Sequence, residues 1–134
     1  MTREGMKIVL VIDDDPMMIE MVKDFLESHG YHVIPATTGE EALPKAKISK
    51  PDVLILDVMM PGMDGYETCR HMKQDARLSG VPVIMFTAGT DPKFPQRAFA
   101  AGADFCLSKP FDMDRLLNVV NMAAAKKVKP PATS

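Results

Sequence analysis

Residues 7–18 read KIVLVIDDDPMM and join a predicted strand to three consecutive carboxylates. Five of the six residues in KIVLVI are apolar, which is typical of a strand that is buried on both faces of a sheet. Asp13, Asp14 and Asp15 follow directly, and a helical pattern begins at Pro16. Two carboxylates that lie about 4 Å apart repel by roughly 4 kcal/mol at an effective dielectric constant near 20. The sequence therefore predicts that another group offsets this repulsion.

Short apolar runs and amphipathic helical patterns alternate along the whole chain. The predicted strands cover residues 6–12, 31–36, 52–57, 81–87 and 103–108. The predicted helices cover residues 16–30, 37–49, 65–74, 95–102 and 112–127. Strict alternation indicates a doubly wound α/β domain, in which right-handed crossovers join a five-stranded parallel sheet to helices on both faces. In such sheets ligands bind outside the carboxyl ends of the strands.

Length and composition restrict the class of protein. The 134 residues fit one domain, which we place at residues 1–125, with a flexible tail or linker stub over residues 126–134. The net charge of −2 gives no basic field for nucleic acid, the apolar runs are too short to span a bilayer, and the N-terminus does not resemble a signal peptide. Cys69 and Cys106 stand in unrelated contexts, which argues against a disulfide framework and favours a cytoplasmic location.

Polar residues follow or end four of the predicted strands, and the fold brings them to one edge. They are Asp13, Asp14, Asp57, Thr87 and Lys109. Three carboxylates without aromatic cover favour Mg²⁺, for which Mn²⁺ could substitute, and the dication would offset the repulsion. A carboxylate oxygen at such a site can attack a phosphoryl group whose oxygens are neutralised by the metal and Lys109. Thr87 can donate a hydrogen bond to the same group.

Four segments of the chain resemble the receiver domain of two-component response regulators, a family that includes the chemotaxis response regulator. They are VIDDDP (11–16), VLILDVMMPGMDGYE (53–67), VPVIMFTA (81–88) and GADFCLSKPF (102–111). The resemblance covers residues 7–125 and implies a flavodoxin-like fold with strand order 2-1-3-4-5. It also implies a signalling domain and not a conventional enzyme. The chemistry of such a domain is limited to Mg²⁺-dependent self-phosphorylation from a phosphodonor and to autodephosphorylation.

The resemblance implies a role for each residue of the site. Asp57 is the expected phosphoacceptor. The expected metal ligands are Asp13, Asp14, Asp57 and the backbone carbonyl of Met59. The groups expected to contact the phosphoryl group are Thr87, the backbone of Ala88 and Lys109. Lys109-Pro110 is expected to be a cis peptide. The implied partners are a histidine kinase or phosphotransfer protein and an unknown downstream protein. This domain is not expected to bind nucleic acid or a membrane. It is further expected to form a dimer on phosphorylation.

Cys106 departs from the family pattern. Many receivers carry Tyr or Phe three residues before the site lysine, and this ring moves inward when the Thr or Ser hydroxyl turns toward the phosphoryl group. Here the aromatic residue is the neighbouring Phe105, and side chains alternate along a strand, so Phe105 and Cys106 should lie on opposite faces. Cys106 is therefore either a small buried filler or a switch residue that acts with Thr87 without a large aromatic movement.

Other interpretations stay open for several residues and for the function. Asp15 precedes Pro16 and fits a helix N-cap, whereas Asp64 fits a turn. A phosphatase of the haloacid dehalogenase type also uses a strand-end aspartate with Mg²⁺, and turnover of small phosphate esters would reveal it. A flavodoxin-like binder would need a phosphate-cradling loop where this chain has acids. A degenerate receiver that serves only for docking is the third alternative.

Overall fold

A computed structural model describes residues 5–87, 91–108 and 112–126. In these ranges five strands form a single parallel sheet. They are β1 (Lys7–Ile12), β2 (Tyr31–Ala36), β3 (Val53–Asp57), β4 (Val83–Thr87) and β5 (Phe105–Ser108). Their order is β2-β1-β3-β4-β5, and each neighbouring pair is parallel. The predicted sheet and its strand order are therefore confirmed.

Five helices in the described ranges cover the two faces of the sheet. They are α1 (Pro16–Glu27), α2 (Gly39–Ser49), α3 (Gly65–Gln74), α4 (Phe94–Ala100) and α5 (Met113–Lys126). Their apolar side chains join two separate clusters of buried residues, one with α2, α3 and α4 and the other with α1 and α5. Leu54 and Leu56 belong to the first cluster, and Val53 and Ile55 belong to the second, because side chains alternate along β3.

The last of the three consecutive aspartates begins helix α1. The Asp15 carboxylate accepts a hydrogen bond from the backbone N–H of Met17 at 3.0 Å, and Pro16 occupies the first turn. The prediction that Asp15 is an N-cap is therefore confirmed. The helix ends at Glu27, and Gly30 adopts a φ of 92°, which leads the chain into β2.

Helix α2 begins at Gly39, and the side chains of two residues cap its start. Thr38 accepts a hydrogen bond from the Glu41 N–H at 3.0 Å, but the Glu41 carboxylate accepts from the N–H of Thr37 at 2.7 Å, one residue earlier than in a capping box. The helix continues past Pro44 to Ser49, so the proline does not shorten it. Burial of the small residues on the α2 face that packs against the sheet outweighs the one hydrogen bond that Pro44 cannot donate.

No helix among the residues that the structure describes is long and apolar enough to cross a membrane. Helix α5 includes Lys126, the first residue of the predicted tail, and residues 127–134 lie outside the described ranges.

Candidate metal site at the carboxyl edge of the sheet

The two central strands place two buried carboxylates side by side. Asp13 directly follows β1, and its backbone N–H donates to the Ala36 carbonyl at 3.1 Å, so it continues the ladder with β2. Asp57 is the last residue of β3, which pairs with β1 in the register Ile12↔Leu56. Asp13 is only 3% exposed and Asp57 only 7% exposed. Strand pairing therefore brings both carboxylates to the predicted edge of the sheet.

Asp14 completes a cluster of three carboxylates from the solvent side. One oxygen from each of Asp13, Asp14 and Asp57 lies within 4.8 Å of the others, and Asp14 is exposed. Among the described residues, no Lys or Arg forms an ion pair with any of the three. The cluster therefore combines burial with mutual repulsion and lacks a cation from the described part of the chain.

Burial and repulsion both act on the titration of the cluster. Burial and the negative charges of Asp13 and Asp14 together raise the pKa of Asp57 to about 7, although the hydrogen bond from the backbone N–H of Met59 opposes them. Burial also raises the pKa of Asp13, and a hydrogen bond of 2.9 Å from the backbone N–H of Asp15 opposes this effect. A nearby cation would therefore favour the charged form of both carboxylates.

The three carboxylates fit a hard divalent cation. Mg²⁺ binds through a few carboxylate oxygens, keeps several waters and prefers oxygen over nitrogen or sulfur ligands. The cluster offers only oxygen ligands, and the exposed Asp14 leaves one side open to solvent. The donor set therefore agrees with the predicted Mg²⁺, with Asp13, Asp14 and Asp57 as the side chains that would hold it. The carbonyl of Met59 as a further ligand stays a prediction.

Thr87 lies at the same edge and lines a cleft beside the cluster. It ends β4, is 4% exposed, and shares a cleft of about 610 Å³ with Asp14 and Met59. The predicted roles of Ala88 and Lys109, and the predicted cis peptide at Pro110, fall outside the described residues.

The prediction that Phe105 and Cys106 lie on opposite faces of the sheet is confirmed. Phe105 packs against the α1–α5 cluster and Cys106 against the α2–α3–α4 cluster. Cys106 is half-buried, and burial raises the pKa of its thiol, as expected of a packed and unreactive cysteine. A switching role of Cys106 stays a prediction.

The segment after Asp57 contains two features that the sequence reading did not identify. Asp64 is the N-cap of α3, where it accepts from the Glu67 N–H at 2.9 Å, so its assignment to a turn was wrong. Gly65 lies so close to β3 that a Cβ there would be 2.2 Å from the Asp57 carbonyl oxygen. An Asp–Gly pair before a helical pattern carries a signal for the cap, but the close approach of Gly65 depends on how α3 packs.

Comparisons with known proteins agree on one family. A family model described as the response regulator receiver domain matches residues 9–121. The chain is 40% identical over 105 residues to the alkaline phosphatase synthesis transcriptional regulatory protein PhoP of Bacillus subtilis. The aligned region covers 78% of this chain and 43% of that protein. It is 35% identical over 120 residues to Protein PilH of Pseudomonas aeruginosa, and the aligned region covers 87% of this chain and 97% of that protein.

Solved structures give the same result for the fold. The chemotaxis response regulator CheY4 of Vibrio cholerae superposes with a TM-score of 0.82 at 36% identity and covers 89% of this chain and 99% of its own. A putative response regulator from Chloroflexus aurantiacus superposes with a TM-score of 0.86 at 37% identity and covers 90% of this chain and 99% of its own.

Proposed function

Since the chain belongs to the response regulator receiver domain family, we propose that Asp57 is its phosphoacceptor and that Mg²⁺ is required for phosphoryl transfer. The observation that supports the proposal is the cluster itself. Asp57 is buried at a strand end, its carboxylate lies within reach of Asp13 and Asp14, and its pKa is raised to about 7. Among the described residues no cation stabilises the ionised form of Asp57, so a bound Mg²⁺ would stabilise it and prepare it to receive a phosphoryl group.

The proposed reaction is a single displacement at phosphorus. An oxygen of Asp57 forms the new O–P bond, while the bond from phosphorus to the donor breaks and the donor leaves with its electron pair. The donor is a phosphohistidine of a histidine kinase or phosphotransfer protein, or a small acyl phosphate. Bound Mg²⁺ would favour the ionised form of Asp57 and neutralise the phosphoryl oxygens.

The residues around Asp57 have separate tasks in this proposal. Asp13 and Asp14 hold the cation, and the Met59 N–H keeps the Asp57 carboxylate oriented. The Thr87 hydroxyl donates to a phosphoryl oxygen, and Lys109 supplies a positive charge as the family resemblance implies. Thr87 and Cys106 would then carry the change to a surface that binds a downstream protein. We infer no conventional enzymatic turnover beyond this self-phosphorylation and autodephosphorylation.

The activity of the longer relatives is not transferred to this chain. The aligned part of this chain spans 43% of the length of PhoP and 45% of the length of the Synechocystis regulator RpaA. The DNA-binding role in the name of RpaA is therefore a property of that protein. A histidine kinase donor and a downstream protein partner are proposed for this chain, while the phosphorylation-dependent dimer and the cytoplasmic location stay predictions.

The haloacid dehalogenase alternative finds no support in the comparisons. A receiver that serves only for docking would lack the acidic cluster, whereas Asp13, Asp14 and Asp57 lie together here. The alternatives differ in a simple assay, because a phosphatase releases phosphate from many ester molecules per protein, and a receiver gains at most one phosphoryl group.

Intact mass measurement tests the proposal directly. Acetyl phosphate with Mg²⁺ should add one phosphoryl group to the wild type, and EDTA should prevent the addition. Asp57→Asn should abolish it, while Glu20→Gln, an exposed carboxylate on α1, should leave it unchanged. If Asp57→Asn gains the same mass at the same rate, the assignment of Asp57 is wrong.

A further inference from the structure

Strand β2 stands at one end of the strand order among the described residues, so it is an outer strand of the sheet. The Asp13 N–H of the neighbouring chain segment donates to the Ala36 carbonyl at 3.1 Å. In a parallel ladder every second residue turns its backbone groups toward the same neighbour, so Ile34 faces β1 together with Ala36. The backbone groups of Val33 and Pro35 therefore point outward, where another strand can pair with them.

Side chains of the two flanking helices occupy these outward groups. The Glu27 carboxylate, at the end of α1, accepts from the Val33 N–H at 3.3 Å. The Lys45 ammonium of α2 donates to the Pro35 carbonyl at 2.6 Å. Pro35 itself has no N–H to donate. One outward donor is therefore bonded, the next is missing, and the carbonyl of the proline is covered.

The same pattern continues one step beyond the strand. Thr37 follows Pro35 by two positions, and its N–H donates to the Glu41 carboxylate at 2.7 Å. Glu41 also lies 2.8 Å from the Lys45 ammonium. The hydrogen bonds from Lys45 and Thr37 lower the pKa of Glu41 to about 2, so the carboxylate stays charged. Positions 33, 35 and 37 thus offer no free N–H to another chain.

Glu27, Glu41 and Lys45 form a cap over the outward side of β2, which we call the β2 cap. Their side chains are 35%, 38% and 38% exposed, so water still reaches these charges. A strand that approached β2 would have to displace the β2 cap from the backbone and remove its charges from water, which costs free energy. Charged side chains and proline are also the residues that protect outer strands from pairing.

We propose that the β2 cap and Pro35 close β2 as a strand-pairing surface, and that the partner they exclude is β2 of a second copy of this chain. Two identical outer strands can pair antiparallel about a two-fold axis, because each then offers the other the same row of outward groups. Such pairing would join two five-stranded sheets into one continuous sheet. The proposal does not depend on the role of Asp57.

Sedimentation equilibrium of the protein without a phosphodonor, over a wide range of concentrations, tests the proposal. The wild type should sediment as a monomer. Lys45→Met uncovers the Pro35 carbonyl, and Pro35→Val adds an outward N–H. The double variant should form dimers with an association constant at least about tenfold above that of the wild type, on the order of what one or two added backbone hydrogen bonds supply.

The chain offers a matched control on the same helix. Lys47 is 41% exposed and lies 3.8 Å from Asp75, away from β2. Pro35→Val with Lys47→Met therefore makes the same change of charge and apolar surface but retains the β2 cap. This control should associate no more strongly than Pro35→Val alone.

A second variant opens β2 from the side of α1 and leaves Pro35 in place. Glu27→Ala removes the acceptor of the Val33 N–H and should also raise the association constant. Glu20→Ala removes an exposed carboxylate of the same helix and should leave the protein monomeric. Circular dichroism establishes that each variant is folded.

Hydrogen exchange locates the contact. The amide that Pro35→Val introduces at position 35 should exchange quickly in dilute protein and slowly in the dimer of the double variant.

Three results would overturn the proposal. If the folded double variant and Glu27→Ala both stay monomeric, the β2 cap serves only the helices to which it belongs. Equal association in the Lys47→Met control would show that a general loss of surface charge causes it. A dimer in which the amide at position 35 still exchanges as fast as in the monomer would place the contact elsewhere.

Discussion

The two edges of the sheet contain charged groups that are partnered in different ways. At the carboxyl edge, Asp13 and Asp57 are almost fully buried, and no cation in the described ranges pairs with them. At the amino edge, the Lys73 ammonium lies 3.0 Å from the Asp104 carboxylate and donates to the Val81 carbonyl at 2.9 Å. Within the described ranges, the carboxylates of the carboxyl edge have no cationic partner, whereas the carboxylate of the amino edge has one.

The amino edge shows what a purely structural ion pair looks like in this fold. The Asp104 oxygen that contacts Lys73 also accepts from the Val83 N–H at 2.9 Å, where β4 begins. The pair thereby joins the last turn of α3 to the starts of β4 and β5. Removal of one partner from such a pair leaves the other charge unpaired, and an unpaired buried charge costs stability unless a ligand compensates it. The comparison supports the proposal that the carboxyl edge is the functional one.

The largest expected effect is a pH dependence of stability that comes from the carboxyl edge. The pKa of Asp57 is about 7 in the folded protein and 3.8 in an ordinary carboxyl group, so the folded state binds this proton more tightly. The contribution of Asp57 to metal-free stability therefore falls as the pH rises from about 4 to about 7. Asp57→Asn should match the wild type near pH 4 and exceed its free energy of unfolding near pH 8 by on the order of 3 kcal/mol.

Urea unfolding in EDTA at about pH 4, 6 and 8 measures this difference. Glu20→Gln is the control, because it removes an exposed carboxylate outside the cluster. A difference between Asp57→Asn and the wild type that stays constant over this range would contradict the raised pKa of the buried Asp57.

The second expected effect is stabilisation of the carboxyl edge by a divalent cation. At a concentration of about 100 times its dissociation constant, Mg²⁺ should raise the free energy of unfolding by about 2.7 kcal/mol, because it binds the folded state only. Asp13→Asn should lose most of this gain while it keeps the hydrogen bond from the Asp15 N–H through its amide oxygen. Thermal unfolding with and without Mg²⁺ checks this, and an equal gain in Asp13→Asn would place the ion elsewhere.

The third prediction concerns the amino edge. Lys73→Met removes the ammonium and leaves Asp104 partly buried, so the free energy of unfolding should fall by about 2 kcal/mol. Lys23→Met is the matched control, because Lys23 forms a more exposed pair of 3.7 Å with Glu27 and should cost only a few tenths of a kcal/mol. Mg²⁺ should stabilise both variants as it stabilises the wild type. Equal losses in the two variants would show that the Lys73 pair behaves as an ordinary surface contact.

The alternation of strands and helices and the carboxyl edge could be predicted from the sequence because both follow from local patterns, whereas the strand order was implied by the family resemblance. Buried strands read as continuous apolar runs, and the residue that follows each run lies at the carboxyl edge whatever the details of packing. Asp13 and Asp57 needed nothing more than this to be assigned to one site. The N-cap role of Asp15 was equally local, since it depends on the residue before Pro16.

The features that could not be predicted depend on how the helices pack. Lys73 and Asp104 are 31 residues apart in the chain and meet only because α3 crosses the starts of β4 and β5. The contact of Arg97 with Tyr66 likewise requires α4 to lie beside α3. The fold also shows that Asp13 is buried and Asp14 exposed, a difference that the sequence analysis did not predict.

That difference within the cluster leads to the smallest expected effect on stability. Water screens the charge of the exposed Asp14 better than that of the buried Asp13, so its repulsion with Asp57 is weaker. Asp14→Asn should therefore raise the metal-free unfolding free energy by only a few tenths of a kcal/mol. It should still weaken Mg²⁺ binding, because it replaces one of the three carboxylates that lie within 4.8 Å. Urea unfolding in EDTA and calorimetric titration with Mg²⁺ measure the two effects separately. A gain in metal-free stability as large as that of Asp57→Asn would mean that all three carboxylates repel equally, and that burial does not divide the cluster.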